Sequence, residues 1–374
     1  MKVLSLFDGM ACGMLAMMDA GVNVDRYVAF EIDKYAVQTS SHNFPMTEHR
    51  GDVFKADFTE FRGFDFLVGG SPCTYWSIAQ KNNRETEASG MGWELFSQYV
   101  RALHEAKPKF FIYENNKSMS KAIRASIDEA FGFEAVCINS ALVSAQNRQR
   151  LYWVGKRNED GTYSKVNVEQ PQDRGILLKD ILEDAVAWRD KSHCIDANYF
   201  KGGNLSNLKK QSGSRFMAAE PVTSTVLNVN PSGKGMNGSV GRVDAKSRCL
   251  TTNKGEGPKI AVPVDAEYAE RCLATPCEWD ENGKPLKAVS AADGKIYTVY
   301  EVKNGQITIK GKQYPIKLVD GYYIIRKLTV RECMRLQTVP EWYEFPVSDS
   351  QAYKMLGNGW TVLVISHLIK SSLV

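Results

Sequence analysis

Two observations predict an α/β protein with a doubly wound main sheet and a smaller, loop- and β-rich second domain. The first 156 residues alternate strand-like and helix-like segments with short connections, the pattern of a parallel sheet covered by helices. Between about 157 and 325 the alternation stops and glycine, asparagine and serine become frequent. Helical periodicity returns only from 327, and 374 residues are enough for two domains.

In order, the predicted strands are Val3–Phe7, Tyr27–Glu31, Phe64–Val68, Phe110–Tyr113, Glu134–Leu142 and Leu151–Gly155. Helices fit between them at Gly13–Ala20, Lys34–Asn43, Trp93–Ala106 and Lys117–Phe131. Short β segments follow at Lys295–Lys303, Gln306–Lys310 and Tyr322–Arg326, with Asn304-Gly305 as a hairpin turn. Val330–Gln337 and Val362–Leu373 read as helices that cannot bury enough surface alone, so they are expected to pack back on the first sheet. One domain, residues 1–160 plus 326–374, is thus interrupted by another, residues 161–325.

The composition, 43% hydrophobic and 24% charged, is that of a globular protein. No apolar run approaches the ~20 residues that cross a bilayer, and the start lacks the features of a secretory signal. No membrane partner is expected. Eight cysteines form no regular framework, which suits a reducing cytoplasm. Cys272 and Cys277 have no second pair to complete a zinc site, so no metal is expected. Charge is uneven: residues 189–262 hold 12 Lys/Arg against 5 Asp/Glu, a local net of +7 in a chain of +4. Polyphosphate partners favour such a stretch, although a solvated surface would look the same.

Strand ends carry the chemistry-bearing residues, as open α/β sheets require of a ligand site. Phe66-Leu67-Val68 is released by Gly69-Gly70, and Pro72 stiffens the chain before Cys73, a candidate nucleophile at the mouth of a crevice. The first strand runs into FDGMACGM, where Asp8 and the glycines Gly9 and Gly13 mark a close approach of backbone to ligand. Asp8 would repel phosphate, and no lysine completes a phosphate cradle, so an aminoacyl nucleoside fits better than a dinucleotide. Glu31 is placed to accept ribose hydroxyls, and Asp52-Val53 to hold an adenine amine. Each of the three acids also reads as a helix cap.

Taken in order, these residues resemble the cytosine carbon-5 DNA methyltransferase family. Phe7-Asp8-Gly9 with Gly13 matches its cofactor loop, Glu31-Ile32 and Asp52-Val53 its ribose and adenine segments, and Pro72-Cys73 its catalytic loop. Glu114-Asn115 matches the catalytic glutamate motif, and Gln146–Arg150 the Gln-x-Arg-x-Arg pattern. RKLTVRECMRLQTVP (326–340) resembles the helix supporting the recognition domain, and LGNGWTV (356–362), with Asn358 and Trp360, the last cofactor motif. Thr74, Gln80 and Asn116 depart from common choices without removing a chemically required group.

The resemblance implies an S-adenosylmethionine-dependent methyltransferase fold of Rossmann-like type, with S-adenosylhomocysteine as product. Residues 161–325 would be the target-recognition domain, and double-stranded DNA the partner. Cys73 would add to carbon 6 of a flipped-out cytosine. Glu114 would sit, protonated, against ring nitrogen 3 and the exocyclic amine, while Asn115 orients the loop. Arg148 would favour the thiolate, with Arg150 more distant. Ser77, Arg84, Arg150, Lys234 and Arg242 would contact DNA. The single-chain layout suits a bacterial or phage enzyme, working as a cytoplasmic monomer, with any cognate restriction endonuclease a separate protein. Two other readings are a tRNA cytosine-5 methyltransferase and a non-enzymatic DNA-binding regulator. The large inserted domain argues against the first, and intact Cys73, Glu114 and Arg148 against the second. Residues 265–325 receive no assignment.

Overall fold

The computed structural model describes residues 1–77, 84–183, 185, 187, 190–201, 217–221, 240–241, 259–260, 287–289, 296–309 and 312–374. Its main sheet grows from β1 (Lys2–Leu6), whose last four residues are buried, as expected of a strand covered on both faces. Parallel to it run β2 (Arg26–Phe30) and β3 (Glu48–His49) on one side, and β4 (Phe66–Gly69) and β5 (Phe110–Asn116) on the other. The order β3-β2-β1-β4-β5 therefore reverses beside β1, and the crevice at such a reversal is where open sheets bind ligands.

Helices cover both faces. On one, Leu4, Leu6 and Leu67 join a cluster with Phe96 and Tyr99 of α3 (Gly90–Ala106) and with Ile123, Ile127 and Phe131 of α4 (Lys121–Phe131). On the other lies α1 (Cys12–Asp19): a β carbon on its Gly13 would stand 2.6 Å from Tyr27 Oη and 3.3 Å from Val68 Cγ2. The remaining N-terminal helix is α2 (Lys34–Asn43).

One feature of the sheet differs from expectation. β6 (Val136–Asn139) and β8 (Gln149–Arg157) flank the two-residue β7 (Gln146–Asn147), and β8 runs antiparallel between β5 and β6. Strand direction is set by the connection, a tight return after β6, and the apolar run Leu151–Gly155 carries no sign of it.

At the C-terminal end, α5 (Val330–Leu336) begins with a capping box: Thr329 accepts from the Glu332 amide, and Glu332 from that of Thr329. Then come α6 (Asp349–Asn358) and α7 (Val362–Leu373), the latter returning to α1 through Ser366 Oγ, 2.5 Å from Asp19. α6 is a helix the sequence did not announce. Its first turn is polar, glycine lies near its end, and only Ala352, Tyr353, Met355 and Leu356 make its apolar face.

The chain divides into two compact units, residues 1–181, 191–201 and 329–374, and residues 182–190 and 202–328. The first extends beyond 160 because β9 (Tyr163–Lys165) pairs with β8, and β10 (Ser192–His193) pairs with β7. In the second, β11 (Met217–Pro221), β15 (Ile296–Lys303), β16 (Gln306–Ile309), β17 (Lys312–Pro315) and β18 (Gly321–Lys327) form an antiparallel sheet ordered β11-β18-β15-β16-β17. β14 (Lys287–Val289) joins β15, and β12 (Val240–Gly241) pairs with β13 (Lys259–Ile260). Asn304 (φ 53°) and Gly305 (φ 69°) both lie in the left-handed region that a tight two-residue hairpin needs.

No helix among the described residues is long and apolar enough to cross a membrane. None of their His, Cys, Asp and Glu side chains form a group of three arranged for a metal, and Cys272 and Cys277 lie outside the described residues.

Candidate active site

Beyond β1 the chain turns through Phe7 (φ 57°), Gly9 (φ 60°) and Ala11 (φ 60°), so two residues with side chains are held in a disfavoured conformation. The turn is held by backbone bonds from Asp8 to Phe30 O (3.2 Å) and from Ala11 to Asp8 O (3.2 Å). Glu31 holds it from the end of β2: one carboxylate oxygen accepts from Gly9 N and the other from the Ile32 and Asp33 amides, all at 2.8 Å.

Asp8 is the unusual member. Its Oδ1 accepts from Ser5 Oγ and Tyr27 Oη, both at 2.6 Å, while Oδ2 is buried with no partner. Burial pushes the carboxyl up to about 6, against the lowering effect of those two hydrogen bonds. Gly13 belongs to the same arrangement, because a side chain there would displace the Tyr27 hydroxyl.

A raised acid costs stability above its folded pKa and nothing below its unfolded one. Asp8→Asn is therefore expected to stabilise the ligand-free protein above pH 6, by up to about 3 kcal/mol, the cost of ionising a carboxyl raised that far. The gain fades as pH falls from about 6 towards the ordinary carboxylate range. Thermal melts across that range check it; a gain constant with pH would contradict it.

At the end of β4, Gly70, Ser71, Pro72 and Thr74 line the same cavity as Phe7, Asp8, Gly9 and Glu31. Cys73 begins a 3₁₀ turn there, residues 73–75, and its side-chain position lies outside what the structure describes. Glu114, near the end of β5, faces the cavity, paired with Arg150 Nε (3.0 Å) and accepting from the Trp360 indole N–H (3.0 Å). Gly70 is confined by this group: a β carbon would lie 2.8 Å from Glu114 Oε2. Asn115, fully buried, donates Nδ2 to Ser71 O (3.2 Å) and Tyr113 Oη (3.2 Å), tying the Pro72-Cys73 loop to β5.

Both arginines line the cavity, with different partners. Arg148 donates to Gly357 O, Gly359 O (2.8 Å) and Ile195 O (3.1 Å), so it ties the end of α6 to the segment after β10. Arg150 is the one on Glu114, a contact the sequence did not foretell. The sheet register explains it. Asn116 lies opposite Arg150 and Glu114 opposite Tyr152, which makes Arg150 the diagonal neighbour of Glu114 on one face. Without the antiparallel pairing of β5 and β8, this contact has no signature in the sequence.

Asn358 and Trp360 line the cavity, together with Asp33 and Lys354, which form an ion pair at 2.6 Å. Four predicted cofactor residues do not line it. Gly13 lies in α1, Ile32 is 78% exposed, Asp52 caps the turn at Phe54 (3.0 Å), and Val53 is buried in the core. Arg84, expected on DNA, instead holds its own loop through Trp76 O (3.2 Å) and Ser118 O (2.6 Å). Trp76 is buried, so this aromatic anchors the loop. Ser77 ends the described part of that loop, and Lys234 and Arg242 lie outside the described residues. Tyr27, Lys354 and Cys194 complete the surroundings, and nothing in the sequence singled them out. Cys12 also faces the cavity, but burial pushes its thiol up to about 12, which leaves it unreactive.

The model of the C-5 cytosine-specific DNA methylase family matches residues 1–373. The chain belongs to that family. It is 30% identical over 430 residues to the orphan methyltransferase M.SPRI of Bacillus phage SPR, covering 99% of this chain and 97% of that one. It is 27% identical over 390 residues to the type II methyltransferase M1.ScrFI of Lactococcus lactis subsp. cremoris, covering 100% and 78%. Among solved structures, a Spodoptera frugiperda DNMT2 mutant superposes with a TM-score of 0.51 at 17% identity over 100% and 99% of the chains, a likeness of fold. The expectations of a methyltransferase fold and of DNA cytosine-5 methylation thus agree with the family, and the tRNA and regulator readings are not favoured. This methylase gathers Asp8, Glu31, Pro72 and Glu114, from the ends of β1, β2, β4 and β5, around one cavity with Arg148, Arg150, Asn358 and Trp360.

Proposed function

We propose that the enzyme methylates carbon 5 of a cytosine flipped out of duplex DNA, through a covalent bond from Cys73 to carbon 6, with S-adenosylmethionine as donor. The observation that carries this reading is the single cavity shared by Asp8 and Glu31, the Pro72 loop and the Glu114–Arg150 pair. Its acids fit the donor. The unpartnered Asp8 Oδ2 suits an ammonium group, and Glu31, whose two oxygens have further lone pairs, suits ribose hydroxyls. When bound, the donor supplies an electrophilic methyl group on a sulfonium.

The protein's residues do the rest. The Cys73 thiolate adds its electron pair to carbon 6, which makes carbon 5 nucleophilic enough to take the methyl group. Glu114, oriented by Arg150 and Trp360, hydrogen-bonds the ring nitrogen 3 and amine edge and stabilises the charge that develops there. Loss of the carbon-5 proton to a base then returns the electron pair and expels the thiolate. Asn115 keeps the Cys73 loop in register with Glu114 through Ser71.

In this reading the first unit is catalytic and the second recognises the target, its basic residues between 202 and 262 meeting phosphates. Ser77 faces the flipped base's surroundings, and Lys234 and Arg242 the groove. The enzyme acts as a cytoplasmic monomer, with any cognate restriction endonuclease separate; relatives named orphan methyltransferases support action without one.

Transfer of labelled methyl from S-adenosylmethionine to duplex DNA, with tRNA in parallel, tests the proposal. Label is expected in DNA, at carbon 5 of cytosine. Label in tRNA alone would overturn the substrate, and label in neither, across varied sequences, would favour a DNA-binding regulator.

A further inference from the structure

A second, more open groove adjoins the cavity, lined by Asn116, Lys117, Ser118, Gln149 and Arg150. Arg150 lines both, so its guanidinium stands between them. The register of the sheet builds this groove. Asn116 ends β5 opposite Arg150, so Lys117, the first residue beyond the strand, comes to lie beside Gln149, the residue before Arg150 on β8. There Lys117 Nζ donates to Gln149 Oε1 at 2.7 Å. The same turn holds the loop that follows Cys73, because Arg84 donates to Ser118 O at 2.6 Å. The groove is lined by two cations and no carboxylate. Arg150 is matched by Glu114 at 3.0 Å, whereas Lys117 is exposed and its partner among the described residues is a neutral amide oxygen. Two of its three N–H donors remain for an anion.

We propose that this groove holds a backbone phosphate of the target strand beside the flipped cytosine, with Lys117 as its cation. A base that lies against Glu114 stays joined to its strand, so its flanking phosphates leave the cavity within a nucleotide's length of Arg150. Gln149 holds the ammonium at the groove before DNA arrives, which lessens the cost of ordering a long side chain on binding. The contact is to the backbone alone and carries no sequence information. This rests on the reading of Glu114 as the residue that meets the target base.

The test uses the full chain and a duplex that the wild type labels in the methyl-transfer assay, with affinity measured across a range of salt concentrations. Each phosphate neutralised contributes about 0.9 to the slope of log K against log salt, so Lys117→Gln is expected to lower that slope by about 1. Lys117→Arg, which keeps a cation, restores it. Lys156→Gln is the control. Lys156 is an exposed cation seven residues along β8 from Gln149, about 24 Å away at the rise of an extended strand, and its loss leaves the slope as in the wild type.

An unchanged slope in Lys117→Gln, or an equal fall in Lys156→Gln, overturns the proposal, the second because any lost positive charge would then act alike. The two readings fail separately. A labelled duplex bound with an unchanged slope by Lys117→Gln removes the phosphate site alone. A wild type that labels no duplex overturns the reading of the cavity, and the phosphate site falls with it.

Discussion

Replacing Cys73 by alanine is expected to abolish methyl transfer to DNA, lowering kcat on the order of 10⁴-fold or more. Carbon 5 of cytosine is too weak a nucleophile to take the methyl group unaided, so the step fails without addition at carbon 6. The other described thiols near the cavity offer no substitute: Cys12 is held protonated by burial, and Cys194 lies between two guanidinium groups. Binding of the donor should change little, because its proposed partners, Asp8 and Glu31, stand at the ends of β1 and β2. Single-turnover transfer, with donor affinity measured alongside, checks both halves. Residual transfer within tenfold of the wild type would mean that Cys73 is not the nucleophile.

Arg150→Ala is expected to lower kcat about 10²-fold, the usual scale for losing a group that orients a catalytic acid. Glu114 keeps its bond from Trp360 but loses the ion pair that sets its second oxygen. Lysine should not rescue it, since an ammonium on a flexible stem lacks the guanidinium's fixed geometry. Arg148→Ala serves as the contrast. It removes donors from buried carbonyls at Gly357, Gly359 and Ile195; Gly359 O keeps its bond from Gln337 and Ile195 O that from Cys194, but leaving the Gly357 carbonyl without this donor costs about 1–3 kcal/mol, so it lowers Tm first. The two variants thus separate chemistry from tethering: Arg150→Ala loses kcat beyond what its fall in Tm accounts for, since it also leaves the buried Glu114 without its ion pair, while Arg148→Ala loses mainly Tm. An Arg148→Ala protein as stable as the wild type, with Arg150→Ala fully active, would contradict this division.

Much of the fold was legible because strands buried on both faces write long apolar runs. β1, β2, β4 and β5 lie close to where those runs place them, and the residues at their ends follow. Direction was not legible: β8 enters antiparallel, and with it came the unforeseen pairing of Arg150 with Glu114. Motif order located the cavity but not each residue's task. Asp52, read as an adenine contact, makes a local cap, because an acid at a strand end serves both purposes equally well. Arg84 and Trp76 illustrate the same ambiguity in a loop, where basic and aromatic residues that suit DNA also suit anchoring. Tyr27 and Cys194 were invisible because their importance lies in what they touch, Asp8 in one case and two arginines in the other.

The covalent step is central to the proposed mechanism, and it is best tested on duplex DNA carrying 5-fluorocytosine in place of cytosine. Fluorine cannot leave carbon 5 as a proton does, so an adduct formed at carbon 6 persists after methyl transfer. Incubation with S-adenosylmethionine should give a protein–DNA species stable to denaturation, mapping by mass to the peptide that contains Cys73 and absent from Cys73→Ala. Methyl transfer to ordinary DNA with no such species, or an adduct on another cysteine, would contradict it.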